Sequence, residues 1–195
     1  MKIATWNVNG IRARQAELQQ FIEREQPDIL CLQEIKASLD QLPVWICQLE
    51  GYSCYWHGGK GYSGVALHVL TATFPDPPAF QHPPFDFEHR IVTVSLPDVT
   101  VASIYVPNGG KDFVAKLRFL EEMRKFAAER QAAGSPLVMC GDMNVARTDM
   151  DVHPKERKRV IGQLPEERTH FEQILGAGVV DVARTLDPEN DGLFT

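Results

Sequence analysis

Three apolar runs of this 195-residue chain each end in oxygen-bearing side chains: Asn7 and Asn9 after Ile3–Trp6, Gln33 and Glu34 after Ile29–Leu32, Asp142 and Asn144 after Leu137–Cys140. In open α/β sheets, functional groups collect at the carboxyl ends of strands, where separate segments project into one crevice. Two carboxylates and two or more amides meeting there make a hard-oxygen site. Such a site suits Mg²⁺, which takes carboxylate and water ligands and is usually shared with a substrate phosphate. Any one of these residues alone is an ordinary turn former. Their recurrence, with Glu34 directly following an apolar strand, is what points to chemistry. Asp142 and Asn144 stand two positions apart and share a side if the backbone there is extended. Tyr105 and Asn108 close another strand with a phenol and an amide, both able to donate toward an anion. The loops Gly58–Gly64 and Gly109–Lys111 combine glycines with a lysine and suit close backbone approach to phosphates. Neither fits G-x-x-x-x-G-K-[ST], so a nucleoside-triphosphate loop is not supported.

The elements that must position these groups alternate between strand-like and helix-like segments. Strands are expected over Lys2–Val8, Asp28–Gln33, Tyr52–His57, Val65–Leu70, Arg90–Leu96, Thr100–Val106 and Leu137–Cys140. Asp28–Gln33 is continuously apolar, the pattern of a strand covered on both faces. A helix is expected over Arg12–Gln26, with Ile11, Leu18 and Ile22 at helical spacing and Pro27 as its stop. A short one is expected over Leu42–Leu49. The strongest runs over Phe113–Ala133, with Phe113, Leu117, Leu120 and Ala127 on one face, Phe119, Met123 and Phe126 adjoining, and Gly134 at its end. A further helix is expected over Pro165–Leu175, with Glu166 and Glu167 near its N-terminus. Phe74–Phe87 carries five prolines and reads as an extended surface loop. The pattern is α/β, a mixed sheet with helices packed on its faces, in a single domain over 1–195.

Composition narrows the classes. Hydrophobic residues are 44% and charged residues 24%, ordinary values that exclude a disordered tail, a collagen-like repeat and a coiled coil. No apolar run approaches the roughly 20 residues of a membrane-spanning helix. The start reaches Asn7 and Asn9 too soon for a signal peptide, so a cytoplasmic protein is expected. Cys31, Cys47, Cys54 and Cys140 show no C-x-x-C spacing, and Cys31 and Cys140 read as small buried hydrophobes. A formal net charge of −6 argues against indiscriminate electrostatic binding of nucleic acid. It leaves a polyanionic substrate open, because a bound cation reverses the local field.

Five segments carry a family resemblance: Thr5-Trp-Asn-Val-Asn-Gly10, Leu32-Gln-Glu-Ile-Lys36, Gly61-Tyr-Ser-Gly-Val-Ala66, Tyr105-Val-Pro-Asn-Gly-Gly110 and Gly141-Asp-Met-Asn-Val-Ala146. In this order they resemble the motifs of the bacterial exonuclease III family, the apurinic/apyrimidinic (AP) endonucleases of the endonuclease/exonuclease/phosphatase superfamily. The resemblance implies a four-layer α/β sandwich of mixed sheets flanked by helices. It implies a Mg²⁺-dependent phosphodiesterase, with Mn²⁺ as a substitute, that cuts double-stranded DNA 5′ to abasic sites and trims 3′ ends, a monomer when complete. By position, Asn7, Glu34, Asp142 and Asn144 correspond to the metal site. Tyr105 corresponds to the active-site tyrosine, Asp142 to the aspartate handling protons, and Asn144 to the transition-state stabiliser. Arg90, Asn108 and Lys111 correspond to DNA-backbone contacts.

The same resemblance predicts more chain. A strand opening at Leu193-Phe194 stops at once, and the family's DNA-contacting loop, orienting aspartate and closing Ser-Asp-His are not in this sequence. His153 lies in Asp-Val-His-Pro-Lys, which matches another family segment and reads as loop. A C-terminally truncated chain with little nuclease activity and uncovered apolar surface is therefore expected. Two rivals remain at this level: a superfamily phosphatase or phosphodiesterase acting on a phospholipid or inositol phosphate, and a non-catalytic DNA-binding module.

Overall fold

The structure, a computed structural model, describes residues 1–59 and 61–192. Its elements run β1 (Ile3–Asn7), α1 (Gln15–Glu25), β2 (Ile29–Gln33), α2 (Val44–Cys47), β3 (Tyr52–His57), β4 (Val65–Leu70), β5 (Ala79–Gln81), β6 (Ile91–Ser95), β7 (Thr100–Tyr105), α3 (Phe113–Ala132), β8 (Leu137–Asp142), α4 (Pro165–Gly176) and α5 (Val182–Leu186), with short 3₁₀ turns between some of them. Two mixed sheets are flanked by helices. The chain forms two compact units: Met1–Tyr105 with Val138–Asp142, and Val106–Leu137 with the segment from Met143 onward. Leu193 and Phe194, where a strand was expected, lie outside the described residues, as does Lys60 of the first glycine loop.

In the first unit the sheets have orders β1-β2-β4-β3 and β5-β6-β7-β8. The β1–β2 pair is parallel, whereas β4 runs antiparallel to both β2 and β3. Every residue of β2 is buried, as its unbroken apolar run requires. One of its faces meets Leu18 and Ile22 of α1 with Val8, Ile11 and Ile46. Its other face, through Ile29 and Cys31, joins Leu67 and Val69 of β4 and Val92, Val94 and Val101 of the second sheet. Polar groups also cross between the sheets. The Ser103 hydroxyl donates to the Leu32 carbonyl at 3.2 Å and accepts from Gln33 Nε2 at 3.1 Å, both buried. Cys31 is fully buried and hydrogen-bonded to Cys140; that bond and then burial push its thiol well up, the state of an inert core cysteine.

The proline-rich stretch is not wholly a loop. Ala79–Gln81 pairs antiparallel with β6, in register Phe80 to Val94, as a three-residue strand at the sheet's edge. Pro77, Pro78, Pro83 and Pro84 lie on either side of it, so none of them is asked for a ladder hydrogen bond. A second departure is that β8 runs two residues past Cys140, so Asp142 ends the strand itself. Gly141 makes this possible. Its φ is +146°, and an added Cβ would lie 1.9 Å from the Ile104 carbonyl oxygen. Gly141→Ala is therefore expected to lose stability at the upper end of the roughly 1–3 kcal/mol typical of overpacking, as a lower denaturation midpoint. An unchanged midpoint would show that β8 can give way at this point.

In the second unit, α3 and α4 pack on each other. Asp112 caps α3 by accepting from Ala115 N at 2.8 Å. The buried face of α3 is Lys116, Phe119, Leu120, Met123, Phe126 and Ala127, so the core centres on residues that periodicity placed beside the stripe. Asp151 is also buried. It accepts from Arg184 Nε and Nη2 at 2.8 and 2.6 Å and from Thr148 N and Oγ1 at 2.7 and 2.9 Å. Burial alone raises its pKa, but the Arg184 and Thr148 bonds outweigh that and hold it below the usual carboxylate value. A depressed folded-state pKa gives stability that is present above the unfolded value of about 3.9 and lost as pH falls through the folded one. Asp151→Asn is expected to lower stability at pH 7 and to flatten its decline below pH ~4, as read by denaturant titration at several pH values. An equally steep acid decline in the variant would remove Asp151 from that account. Among the described residues no helix is long and apolar enough to cross a membrane.

Candidate active site

Asn7 ends β1, Glu34 directly follows β2 and Asp142 ends β8, so three strands deliver their last side chains to one place in the first unit. The Asn7 amide nitrogen donates to Glu34 Oε1 at 2.9 Å and to Asp142 Oδ2 at 2.8 Å. Its own Oδ1 accepts from Asn9 N at 3.0 Å, which fixes the amide's orientation. Two acids separated by 108 positions thus share one donor. Glu34 reaches it from a left-handed backbone, φ +52°, an uncommon conformation for a residue with a Cβ. Such strain concentrates where a side chain must be aimed.

Lys36, also at positive φ (+49°), sets its ammonium 2.6 Å from Glu34 Oε2 and 2.6 Å from Asn9 Oδ1. Burial would push the Glu34 carboxyl up, but the Asn7 and Lys36 hydrogen bonds outweigh it and hold Glu34 below its ordinary pKa. Tyr105, at the end of β7, hydrogen-bonds Glu34. Burial first, then the Glu34 charge, pushes its phenol up to about 12, so it stays a protonated donor at neutral pH. The group is one ionised glutamate, a second carboxyl, an amide and a neutral phenol. Its cation-binding donors are all hard oxygens, the set that suits Mg²⁺.

Arg90 stands behind Tyr105. Its side chain is 3% exposed. The guanidinium lies 4.8 Å from the Tyr105 ring centroid and 5.5 Å from that of Tyr62. It donates to Glu88 Oε2 at 2.9 Å and to the Tyr62 hydroxyl at 2.9 Å. This guanidinium is packed against aromatic rings and holds them in place.

The remaining expected residues belong to the second unit. Asn144, at φ +50°, donates its amide to the Val106 carbonyl at 2.8 Å. Asn108 is exposed, with Oδ1 accepting from Gly110 N at 3.2 Å, and Lys111 is exposed. Lys116 is fully buried. Its ammonium donates to the Asn144 carbonyl at 2.6 Å and the Asn108 carbonyl at 3.2 Å and pairs with the buried Glu167 carboxylate. One ammonium therefore ties together the loops that present Asn108 and Asn144.

Residues 4–189 match the family model described as endonuclease/exonuclease/phosphatase family. The chain belongs to that family. It is 32% identical over 217 residues to exodeoxyribonuclease III of Haemophilus influenzae, covering 100% of this chain and 79% of that protein. It is 36% identical over 208 residues to the DNA repair nuclease APEX1 of Danio rerio, covering 100% of this chain but only 66% of that one, just under two thirds of its length. The structure of the 3′ phosphatase NExo from Neisseria, bound to a product DNA hairpin, matches with a TM-score of 0.86 at 30% identity over 97% of this chain and 76% of that one.

Within this endonuclease/exonuclease/phosphatase fold, two features escaped the sequence reading. Lys36 sits two positions after Glu34, a spacing that could have marked it as the ion-pair partner. Lys116 lies on the buried face of α3, where a lone charged residue among Phe119, Leu120 and Met123 is the available sign.

Proposed function

We propose that the chain carries the site of a divalent-metal-dependent DNA phosphodiesterase, one that incises duplex DNA at abasic sites and trims 3′ ends, in the cytoplasm. The observation that carries this reading is the single Asn7 nitrogen shared by Glu34 and Asp142, with Tyr105 hydrogen-bonded to Glu34. Glu34 and Asp142 would hold the cation, with the Asn7 amide between them; Asn144 is assigned to the metal on its sequence position alone, and Mg²⁺ or Mn²⁺ would supply positive charge against the phosphoryl oxygens.

The side chains account for the other requirements of the reaction. Asp142 takes the proton of the attacking water, or returns one to the leaving oxygen. Tyr105, kept neutral, donates a hydrogen bond that strengthens as charge develops on phosphorus oxygens. Arg90 keeps the Tyr105 ring in register from behind. Asn144 is given the transition-state hydrogen bond on its sequence position, and Asn108 and Lys111 the DNA backbone. The relatives named above, a DNA repair nuclease, an exodeoxyribonuclease and a DNA-bound phosphatase, support a DNA substrate over a lipid one.

The test uses the full-length protein. A duplex with one abasic analogue and an inositol phosphate are offered in parallel, with Mg²⁺ and with EDTA. Mg²⁺-dependent incision 5′ to the abasic position is the expected result. Faster hydrolysis of the inositol phosphate, or DNA binding without Mg²⁺-dependent cleavage, would overturn the assignment.

A further inference from the structure

Outside the Glu34–Asp142 group, three other side chains of the first unit converge. His57 ends β3, His82 directly follows β5, and Asp86 precedes β6. Each offers one ligand atom, and these atoms all lie within 4.8 Å of one another. His57 Nε2 is 2.6 Å from Asp86 Oδ2, and the His57 and His82 rings lie with centroids 3.8 Å apart and planes tilted by 32°. We propose that His57, His82 and Asp86 form a second cation site, for a first-row transition ion of the Zn²⁺ class.

The supporting contacts are in place. Asp86 Oδ1 accepts from Arg90 N at 2.8 Å and Ile91 N at 3.1 Å, which fixes that carboxylate and leaves Oδ2 facing His57. The Tyr55 hydroxyl sits 2.6 Å from His82 Nε2, and the Tyr55 ring stacks on Phe80 at 5.2 Å, so the His82 imidazole is also oriented from outside the cluster. Partners of this kind accompany built metal centres, and here they hold Asp86 and His82. His82 and Asp86 are four positions apart across Pro83, Pro84 and Phe85, a short spacing stiffened by two prolines. His57 and Asp86 are half-buried while His82 is exposed, which leaves an entry path.

The donor chemistry separates this cluster from the active site. Two imidazoles and a carboxylate match the His₂-carboxylate sets of zinc enzymes, which keep a fourth position for water. Imidazole ligands select transition ions over Mg²⁺, whereas the all-oxygen group around Glu34 does the reverse. Entry replaces the His57–Asp86 hydrogen bond: these two atoms part to about 3.3 Å, the spacing of neighbours in a tetrahedral shell with bonds near 2.0 Å, and the His82 ligand atom, within 4.8 Å of both, adjusts to the same spacing.

The experiment titrates tag-free full-length protein with Co²⁺ in excess Mg²⁺, reading d–d absorption, then displaces Co²⁺ with Zn²⁺. One Co²⁺ per chain, displaced by Zn²⁺, is expected in the wild type and in Glu34→Gln. His82→Ala, at an exposed position, should fold normally and weaken Co²⁺ binding by about 10²-fold or more, at least the effect of losing an orienting partner. Asp86→Asn should do the same, with circular dichroism reporting whether its loss of charge disturbs β6. Absence of Co²⁺ binding in excess Mg²⁺ would overturn the proposal, as would equal binding by wild type and a folded His82→Ala. Loss of Co²⁺ binding in Glu34→Gln would place the ion at the active site instead, and so also overturn it. None of these results depends on which phosphodiester the enzyme cuts.

Discussion

Asp142→Asn in the full-length protein lowers the single-turnover rate of abasic-duplex incision by about 10²–10⁴-fold, the usual contribution of a positioned acid–base group. Asparagine keeps the shape of the side chain and an oxygen able to accept the Asn7 amide bond now made at 2.8 Å. The fold should therefore stand, and the melting temperature should match the wild type. What is removed is the charge and the capacity to carry a proton. Asp142 is also assigned to the cation, so the Mg²⁺ requirement rises in this variant too, but the lost proton transfer leaves a rate defect that saturating Mg²⁺ does not restore. Glu34→Gln behaves differently: its defect shows first as a raised Mg²⁺ requirement and shrinks as Mg²⁺ is increased. A loss of less than tenfold in Asp142→Asn at saturating Mg²⁺, with the fold intact, would remove Asp142 from the chemistry.

Lys116→Met costs about 3–5 kcal/mol of folding stability, the range for stripping one partner from a buried ion pair. Methionine fills similar volume, so the loss is electrostatic. The buried Glu167 carboxylate is left without its cation, and the carbonyls of Asn108 and Asn144 lose their donor. Glu167 does keep Gly162 N at 2.8 Å and Leu164 N at 2.9 Å. That retained pair makes a second variant informative. Lys116→Met with Glu167→Gln removes the orphaned charge yet keeps an oxygen for both amides, and should recover a substantial part of the loss. Chemical denaturation of the two variants decides the point. A loss below 1 kcal/mol in the single variant, or a double variant no better than the single, would mean the pair is not the strut it resembles.

Much of this was legible in the sequence. Strand-forming runs marked seven of the eight strands among the described residues, most plainly Ile29–Leu32, whose apolar run is that of a strand covered on both faces. The acids at the strand ends were legible for a related reason: a carboxylate directly after a buried run must emerge at the sheet's rim. The short strand Ala79–Gln81 was hidden by the prolines on either side of it, which made the whole stretch read as loop. Asp142 was read as following β8 because the apolar run ends at Cys140. The reason for Gly141 is the Ile104 carbonyl, a contact from another strand that no local pattern records. The left-handed turn at Glu34 and the burial of Arg90 and Lys116 are likewise products of tertiary packing. Charged side chains on buried faces break the hydrophobic pattern by design, so a reading based on that pattern passes over them.

The Gln33–Ser103–Leu32 bridge in the first unit has a consequence for mechanics. Two sheets joined only by interleaved valines could slide past each other by a fraction of a repeat at modest cost, since dispersion has no direction. Here a side-chain amide and a hydroxyl, both sealed from water, are matched across the gap. Shear would leave them unmatched in a place where no solvent can compensate. The two layers are therefore keyed, and because Gln33 immediately precedes Glu34, the key sits beside the residue whose aim most needs a rigid mount.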